Sequence, residues 1–393
     1  MKKAGTADKP ANPELESRKK ANLIAAAIII LGTLFFVVLA NNLPYTPYST
    51  GMTGASVNYE IARVVAVTDE SLQDSGHQKG LMVGSQTLQV KILTGSHKGE
   101  MVAASNALST YNSVVGKPGG HLIVNVDELD SGEFQVRVYN YFRAPFIYLL
   151  ALLFFASLIL VGGKKGLMSG LGILYTFFCV FLVFLPLVLR GHSPVLASIL
   201  LVVMVSAVAL VLLNGVSKKS LCSILGTVCG VVLSGVILFL FSSATNLSGY
   251  STEEAESLLQ IGQTTGLKVR DLLYAGILIA SLGAIMDTAM SIVSVMHEMY
   301  LNSPGMKMPS LIKAGMNVGK DMIGTMSNTL ILAFAGTSLS FIILLASYSV
   351  QYNQFINMNA ITIEIAQALS GSLAIVLTVP VTAVITARMF IKK

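Results

Sequence analysis

The residues most able to do chemistry in this chain are carboxylates and other polar side chains placed inside long apolar segments. A charged side chain at the centre of a bilayer costs about 2.5 to 3.5 kcal/mol on insertion scales, so such residues usually face protein or water. Asp287 lies within one of these segments, residues 272–295. At 100° per residue it shares a helix face with Gly276, Ala280, Gly283, Ser291, Ser294 and Glu298. This face predicts either a proton or cation site at Asp287 or a tight contact between helices.

Two further apolar segments carry polar faces of the same kind. The segment at residues 322–348, with Asp321 just before it, has one helix face formed by Asp321, Gly324, Thr325, Asn328, Leu332, Ala335 and Gly336. Residues 363–389 carry Glu364, Gln367, Gly371, Thr378, Thr382 and Thr386. Each has an alternative structural explanation, because an Asp at a helix start can act as a cap, an Asn can join helices and a Thr can bond its own helix backbone. We expect an ion or solute path lined by Asp287, Ser291, Asp321, Thr325, Asn328, Glu364, Gln367 and Thr378.

Known catalytic and metal-binding motifs do not occur in the sequence. There is no HExxH, no phosphate-binding GxxxxGK[ST] and no Gly-x-Ser-x-Gly. Cys179, Cys222 and Cys229 all lie in or beside apolar runs, where thiols are far more often packing residues than metal ligands. The sequence therefore predicts a protein that is not an enzyme and holds no cofactor, and it identifies no metal site or disulfide framework.

Composition places most of the chain in lipid. Hydrophobic residues make up 53% of the 393 positions and charged residues only 12%, with a mean hydropathy of +0.71. A membrane-spanning helix needs about 20 apolar residues. Eight runs meet this requirement, at residues 22–40, 145–161, 167–189, 194–213, 221–241, 272–295, 322–348 and 363–389. The first could be a signal peptide, but its length favours an uncleaved anchor after a polar tail of residues 1–21.

Between the first two runs, residues 56–143 change to a two-residue alternation of apolar and polar side chains. Short strands are predicted at residues 59–67, 87–93, 101–104, 121–126 and 134–139, with a glycine-bounded hairpin turn at 95–99. Five short antiparallel strands in this length fit a small barrel of OB or SH3 type. Residues 145–393 then form a helical membrane domain with seven spans.

Basic residues predict the orientation of the chain. They cluster in the first 20 residues, at every second loop between the apolar runs and at the carboxyl terminus. By the positive-inside rule, both termini are cytoplasmic and the β domain is extracytoplasmic. The net charge of +6 is therefore attributed to basic residues that set the membrane topology and contact anionic lipid. We expect no nucleic-acid partner.

Two motifs resemble a known family. Gly283-Ala-Ile-Met-Asp287-Thr-Ala-Met-Ser291 and Gly315-Met-Asn-Val-Gly-Lys-Asp321-Met-Ile-Gly324-Thr-Met-Ser-Asn328 are similar to signature stretches of the YibE/F-like membrane proteins. The resemblance extends through the helical part and the barrel turn Leu93–Glu100, while Phe334 stands where that family is expected to have tyrosine. It implies a multi-pass bacterial cell-membrane protein and supplies no substrate. It also implies that a shorter homologous membrane protein is a plausible partner.

Two functions remain open at this point. In the first, the protein transports an ion or small solute along a polar route, alone or as a homo-oligomer. In the second, it is a non-transporting assembly or sensing component whose β domain binds an envelope partner. Transport predicts that Asp287, Asn328 and Thr378 converge on a shared cavity, whereas separate helix seams or lipid-facing positions favour the second function.

Overall fold

The computed structural model describes residues 29–44, 57–76, 79–128, 134–252, 254–303 and 305–391. The predicted tail and the beginning of the first predicted span lie outside these ranges. The chain divides into two compact units: residues 49–157 form one, and residues 1–48 with 158–393 form the other. Each unit is described by itself.

The smaller unit contains a closed five-stranded barrel. Its strands are β1 (Val57–Asp74), β2 (Met82–Ile92), β3 (Met101–Leu108), β4 (His121–Glu128) and β5 (Phe134–Tyr141). Around the barrel they follow the order β1-β2-β3-β5-β4. All five lie where the alternation predicts strands, and the Greek-key order matches the OB type rather than the SH3 type.

One pair of strands departs from the predicted antiparallel arrangement. β3 and β5 pair in parallel, whereas the other neighbours are antiparallel. A ring with an odd number of strands cannot alternate direction all the way round, so closing the barrel requires at least one parallel pair. β1 pairs with both of its neighbours, β2 and β4. Two bulges between Val64 and Asp69 bend the strand so that both pairings are possible.

The barrel core consists of the inward-facing residues of the alternating strands. Leu88, Val90 and Ile92 on β2 are fully buried, while their sequence neighbours face outward. Gly84, at φ +129°, begins the tight part of β2, where a side chain would overlap the carbonyl oxygen of Ser71. The buried side chains of β2 and the close approach at Gly84 fix the position of this strand. Its outward-facing side chains form part of the barrel surface.

The remaining elements are helices. They are α1 (Ile29–Asn42), α2 (Ala144–Cys179), a π-helical turn (Val180–Phe184), α3 (Leu185–Leu189), α4 (Pro194–Asn214), α5 (Lys218–Thr245), α6 (Ala255–Thr265), α7 (Leu272–Asn302), α8 (Met308–Thr337), α9 (Leu339–Ser347), α10 (Tyr352–Asn357) and α11 (Asn359–Ile391), with short 3₁₀ turns at Gly249–Ser251 and Val269–Asp271. In the larger unit α11 packs on α5, α7 and α8, and α4 packs on α5 and α7.

The stretch from Ala144 to Leu189 is apolar over 46 residues and is broken within α2. A straight helix of that length would measure about 70 Å, more than twice the thickness of the hydrocarbon layer. Gly163 has φ 53° and ψ −131°, which ends regular helix there. A side chain on Gly166 would overlap the carbonyl oxygen of Leu158, so the chain bends sharply. The break falls between the two apolar runs predicted at 145–161 and 167–189.

By length and composition, five helices of the described chain can cross a membrane, or six if α8 and α9 together form one span. The predicted run at 322–348 is not one straight helix, because α8 and α9 meet at a bend of 61° beside Ser338. The protein is thus a mostly helical, membrane-type chain with a small barrel. The predicted number of eight spans is not established by this count.

Candidate functional site

Asp287 lies on the exposed side of α7. The opposite side of the helix is buried and mostly apolar, with Ile285, Ala289 and Ile292 fully covered. A Cβ atom on Gly276 or Gly283 would have no atom within 4 Å, so these small residues contact no other helix. The predicted face of α7 forms a stripe of small and polar residues on the outside of the helical unit. The stripe consists of Gly276, Ala280, Gly283, Asp287, Ser291, Ser294 and Glu298.

The polar face of α8 is also exposed. Asp321, Thr325 and Asn328 are all accessible, and Gly324 and Gly336 have open space where a side chain would be. The hydroxyl of Thr325 donates to the carbonyl oxygen of Met322 at 3.1 Å. The buried side of α8 instead carries Leu311, Gly315, Gly319 and Leu330. Two neighbouring helices thus each present small and polar residues outward.

Thr378 occupies a different environment. It is fully buried, and its hydroxyl donates to the carbonyl oxygen of Ala374 at 2.6 Å, the structural alternative considered for these threonines. A side chain on Gly230 of α5 would overlap Thr378 Oγ1, and one on Gly226 would crowd Thr382. Thr378 is therefore sealed in the seam between α5 and α11, and the structure does not bring it to a cavity shared with Asp287 and Asn328.

Glu364 and Gln367 lie half-buried near the start of α11. One carboxyl oxygen of Glu364, Oε2, is enclosed and has no hydrogen-bond partner among the described residues. The residue is far along α11 from Thr378, since 14 residues of helix rise about 21 Å. The path residues predicted on α11 therefore lie in two separate places.

The space around each glycine shows which helix faces are packed and which are open. Gly315 and Gly319 of α8 face Met296, Ala383 and Val379, where added side chains would collide. Gly315–Gly319 of α8 and Gly226–Gly230 of α5 each have GxxxG spacing, and both pairs are used for close packing inside the chain. The glycines beside Asp287 and Asn328 are not used in this way. The GxxxG spacing was the sequence signal that could have identified the packed faces.

The stripe on α7 ends in a polar cavity. This cavity has a volume of about 360 Å³ and is lined by Ser294, Glu298 and Asn302 of α7, with Lys219 of α5 opposite. Ser291 lies between it and Asp287 on the same helix face. Lys219 was not among the predicted site residues, because a basic residue at a helix start indicates topology before it indicates a site.

Two largely apolar crevices were not foreseen from the sequence. One, of about 520 Å³, lies between α4, α5 and α7 and has Arg270, Asp271 and Tyr274 among its lining residues. Another, of about 990 Å³, lies between α1, α2 and α4, where Thr33 Oγ1 and Tyr175 OH are 2.8 Å apart. Neither contains a predicted path residue. Crevices of this kind leave no sequence signal, because their walls have the same composition as a packed seam.

Within the described ranges, no group of three or more His, Cys, Asp or Glu side chains is placed to hold a metal ion. The three cysteines are free thiols. Cys222 is buried and lies 3.4 Å from the sulfur of Met389, a packing contact.

His97 and a tyrosine pair are the notable polar features of the barrel. The Nδ1 atom of His97 lies 3.2 Å from Glu100 Oε1, and its Nε2 atom lies 3.2 Å from Glu128 Oε1. The hydrogen bond to Glu100 is the largest of the effects that raise the pKa of His97 above its usual 6.5. On the outer sheet face, the exposed rings of Tyr59 and Tyr139 meet at 4.8 Å.

Comparison with known proteins decides the family. A family model described as YibE/F-like protein matches residues 150–392, more than half of the chain. The chain belongs to this family. The match runs from α2 to α11 of the YibE/F-like chain and includes neither α1 nor the barrel, so the resemblance in the turn Leu93–Glu100 lies outside it. No curated protein and no solved structure gives a significant match.

Proposed function

We propose that this YibE/F-like protein carries an ion or a small polar solute across a membrane along the outward polar faces of α7 and α8. The supporting observation is the position of Asp287: a carboxyl group in the middle of an apolar helix, on an open stripe of small residues that leads to the cavity at Lys219 and Glu298. Intramembrane carboxylates are by default functional, because insertion energetics penalise them. The proposal assigns the protein no catalytic chemistry and no resident cofactor.

In this proposal Asp287 exchanges a proton or binds a cation, while Asn328 and Thr325 act as neutral ligands. Ser291 extends the route toward Glu298, and Asp321 lies at the cytoplasmic side of α8. The shared cavity of Asp287, Asn328 and Thr378 that transport predicted is not formed within one copy, because Asp287 and Asn328 face outward and Thr378 is sealed between α5 and α11. The proposed route therefore excludes Thr378 and depends on a second subunit. Glu364 and Gln367 belong to a separate outer region of the path.

An open polar face requires a cover in the bilayer. Exposed Asp and Asn side chains in hydrocarbon are unfavourable, and small residues allow a second helix surface to approach closely. We therefore propose that the route is closed by a second subunit, either another copy of this chain or a shorter homologous membrane protein. The subunit would convert two exposed stripes into a lined passage.

The proposed topology has eight spans in the bacterial cell membrane. They are α1, the two parts of α2 on either side of Gly163, α4, α5, α7, α8 with α9, and α11. Both termini are then cytoplasmic, and the barrel is extracytoplasmic, in agreement with the distribution of Lys and Arg among the loops.

The test is flux into liposomes that contain the purified full-length protein. A panel of protons, monovalent and divalent cations and small metabolites is screened first, and Asp287→Asn is then measured with the active solute. We expect this variant to lose the flux, because the amide can neither exchange a proton nor neutralise a cation. Asp271→Asn removes a carboxylate from the start of the same helix and should retain flux. The proposal that Asp287 mediates transport is wrong if no solute enters the liposomes or if the Asp287→Asn variant transports normally.

A second candidate function is recognition of an envelope partner by the barrel. Tyr59 and Tyr139 flank β4 on its two sides, and their exposed rings meet above that strand. Asn125 of β4, paired with Tyr59 and Arg137, has an enclosed Oδ1 atom without a hydrogen-bond partner among the described residues. Co-sedimentation of the full chain with isolated peptidoglycan would test this function. Tyr59→Ala should reduce binding, whereas Tyr111→Ala, at another exposed tyrosine, should not.

A further inference from the structure

A cleft lies where the barrel chain continues into α2. It has a volume of about 580 Å³ and is lined by six residues of the same compact unit: His121, Tyr141, Phe142, Arg143, Pro145 and Phe146. The first belongs to the start of β4, and the others run from the end of β5 into the first turn of α2. The backbone N–H of Phe142 donates to the carbonyl oxygen of His121 at 3.3 Å, which joins the two sides of the cleft.

Two side chains of this cleft, Arg143 and His121, can donate hydrogen bonds to a ligand. The hydroxyl of Tyr141 accepts from the backbone N–H of Val115. The guanidinium of Arg143 lies over the ring of Tyr141, 5.7 Å from its centroid, and His121 adds a ring N–H. In the register of β1 and β4, Arg63 pairs with His121, and both side chains are exposed. None of the six lining residues is Asp or Glu. The chemistry of the cleft thus fits an anion, and a guanidinium matches the oxygens of a phosphate group in a bidentate manner.

The source of that anion follows from the surface next to the cleft. The first turns of α2 are apolar and open: Phe146 is 74% exposed, Tyr148 71% and Leu150 69%. The apolar stretch that begins at Ala144 is long enough to cross a membrane, and in that arrangement the residues immediately before it lie at the depth of the lipid headgroups. Phe146 belongs both to the cleft and to this apolar surface. A molecule in the cleft therefore meets the guanidinium of Arg143, a mostly aromatic and apolar lining, and an acyl-chain region at once.

We propose that this cleft binds the phosphate headgroup of an anionic phospholipid, with Arg143 as the principal contact and His121 as a second donor. The phosphate oxygens accept from the guanidinium, the aromatic rings exclude water from one side of the headgroup, and the acyl chains run along Phe146. This binding site is independent of the transport route, since it involves no residue of α7, α8 or α11.

The test measures thermal stabilisation of the full-length protein in detergent during titration with phosphatidylglycerol or with phosphatidylcholine of the same acyl chains. Phosphatidylglycerol should stabilise at the lower concentration. Arg143→Gln should raise the phosphatidylglycerol concentration needed for half of the effect by about fivefold, as expected for one basic residue near a membrane surface. Arg137→Gln removes the same charge from the outer face of β5 and should leave the midpoint unchanged.

Inorganic phosphate distinguishes a lipid site from a general anion site. If phosphate alone gives the same Arg143-dependent stabilisation, the lipid assignment is wrong. Equal shifts for Arg143→Gln and Arg137→Gln would also overturn the proposal, because they would reflect net charge only. Should Arg143→Gln fail to fold, His121→Phe provides a second variant, because it keeps a ring and removes the donor: it should weaken binding of phosphatidylglycerol to a smaller extent, and an unchanged midpoint would contradict a donor role for His121.

Discussion

The ring of His97 has a carboxylate at each of its two nitrogens, on the β2–β3 turn and at the end of β4. A neutral imidazole has one donor and one acceptor, so only the protonated ring can donate to Glu100 and Glu128 together. The ring also stacks on Phe134 of β5, with centroids 3.9 Å apart. A single side chain therefore links three parts of the barrel in a way that depends on its protonation.

This arrangement predicts that the barrel is more stable in mild acid than in mild alkali. The pKa of His97 is raised in the folded protein, so its contribution is complete below its usual value of 6.5 and is lost as pH rises through the raised pKa. Hydrogen exchange of barrel amides in the full chain, corrected for intrinsic rates, measures this. His97→Gln should flatten the pH dependence, and Lys98→Gln should keep it. Equal pH dependence in both variants would contradict the prediction.

At the scale of helices, the seam between α5 and α11 depends on the absence of side chains at two positions. Gly226 and Gly230 admit Thr382 and Thr378, and Ile285 of α7 also approaches Gly230. The Oγ1 atom of Thr382 and the hydroxyls of Ser223, Ser234 and Ser242 are enclosed without partners among the described residues. Close packing thus accounts for the part of this contact at Gly226 and Gly230.

Two glycine substitutions separate packed faces from open ones. Gly230→Ala should destabilise the protein by about 1 to 3 kcal/mol, because the added methyl group overpacks the seam. Gly276→Ala, on the open stripe of α7, should leave stability unchanged or raise it by up to about 1 kcal/mol, since Ala has the better helix propensity. Denaturation in a fixed detergent measures both. If the two variants lose stability equally, the open face of α7 is packed in the folded protein.

Several features of the elements were accessible from the sequence, and others were not. Alternation located the five strands, but it could not reveal that β3 and β5 pair in parallel, because pairing partners depend on how the barrel closes. The apolar run at 322–348 predicted one helix, whereas α8 and α9 meet at a 61° bend. Gly336 lies two residues before Ser338, and a Gly/Ser pair is a known cause of helix kinks, but the length of the apolar run outweighed that signal in the prediction of a single span.

At the scale of the whole molecule, the open faces of α7 and α8 suggest how copies could associate. α7 carries the carboxyl group of Asp287, and α8 carries the amide of Asn328 and the hydroxyl of Thr325. A two-fold arrangement that sets α7 of one copy against α8 of the other would pair acceptors with donors twice, as an isologous interface requires. Such a contact would also remove the polar side chains from lipid.

Disulfide cross-linking in membranes tests that association. With the native cysteines replaced, a mixture of Gly276→Cys and Gly336→Cys chains should give an oxidant-dependent dimer, because the proposed interface sets α7 of one copy against α8 of the other and both positions are open. Leu373→Cys, 50% exposed on α11, is the matched control and should remain monomeric. A dimer formed equally well through residue 373 would contradict a specific interface. So would the absence of any dimer between residues 276 and 336, and a different subunit would then have to cover the stripe.

The sequence by itself determined that this is a membrane-type chain, where its five strands lie, and that Asp287 shares a helix face with glycine, alanine and serine. Only the tertiary structure decided which helix faces turn inward: the stripes of α7 and α8 are open, and Thr378 is sealed. The physical reason is the solvent. In water a buried helix face is recognised by its apolar residues, but lipid is as apolar as a protein core, so inward and outward faces have similar compositions and only the packing distinguishes them.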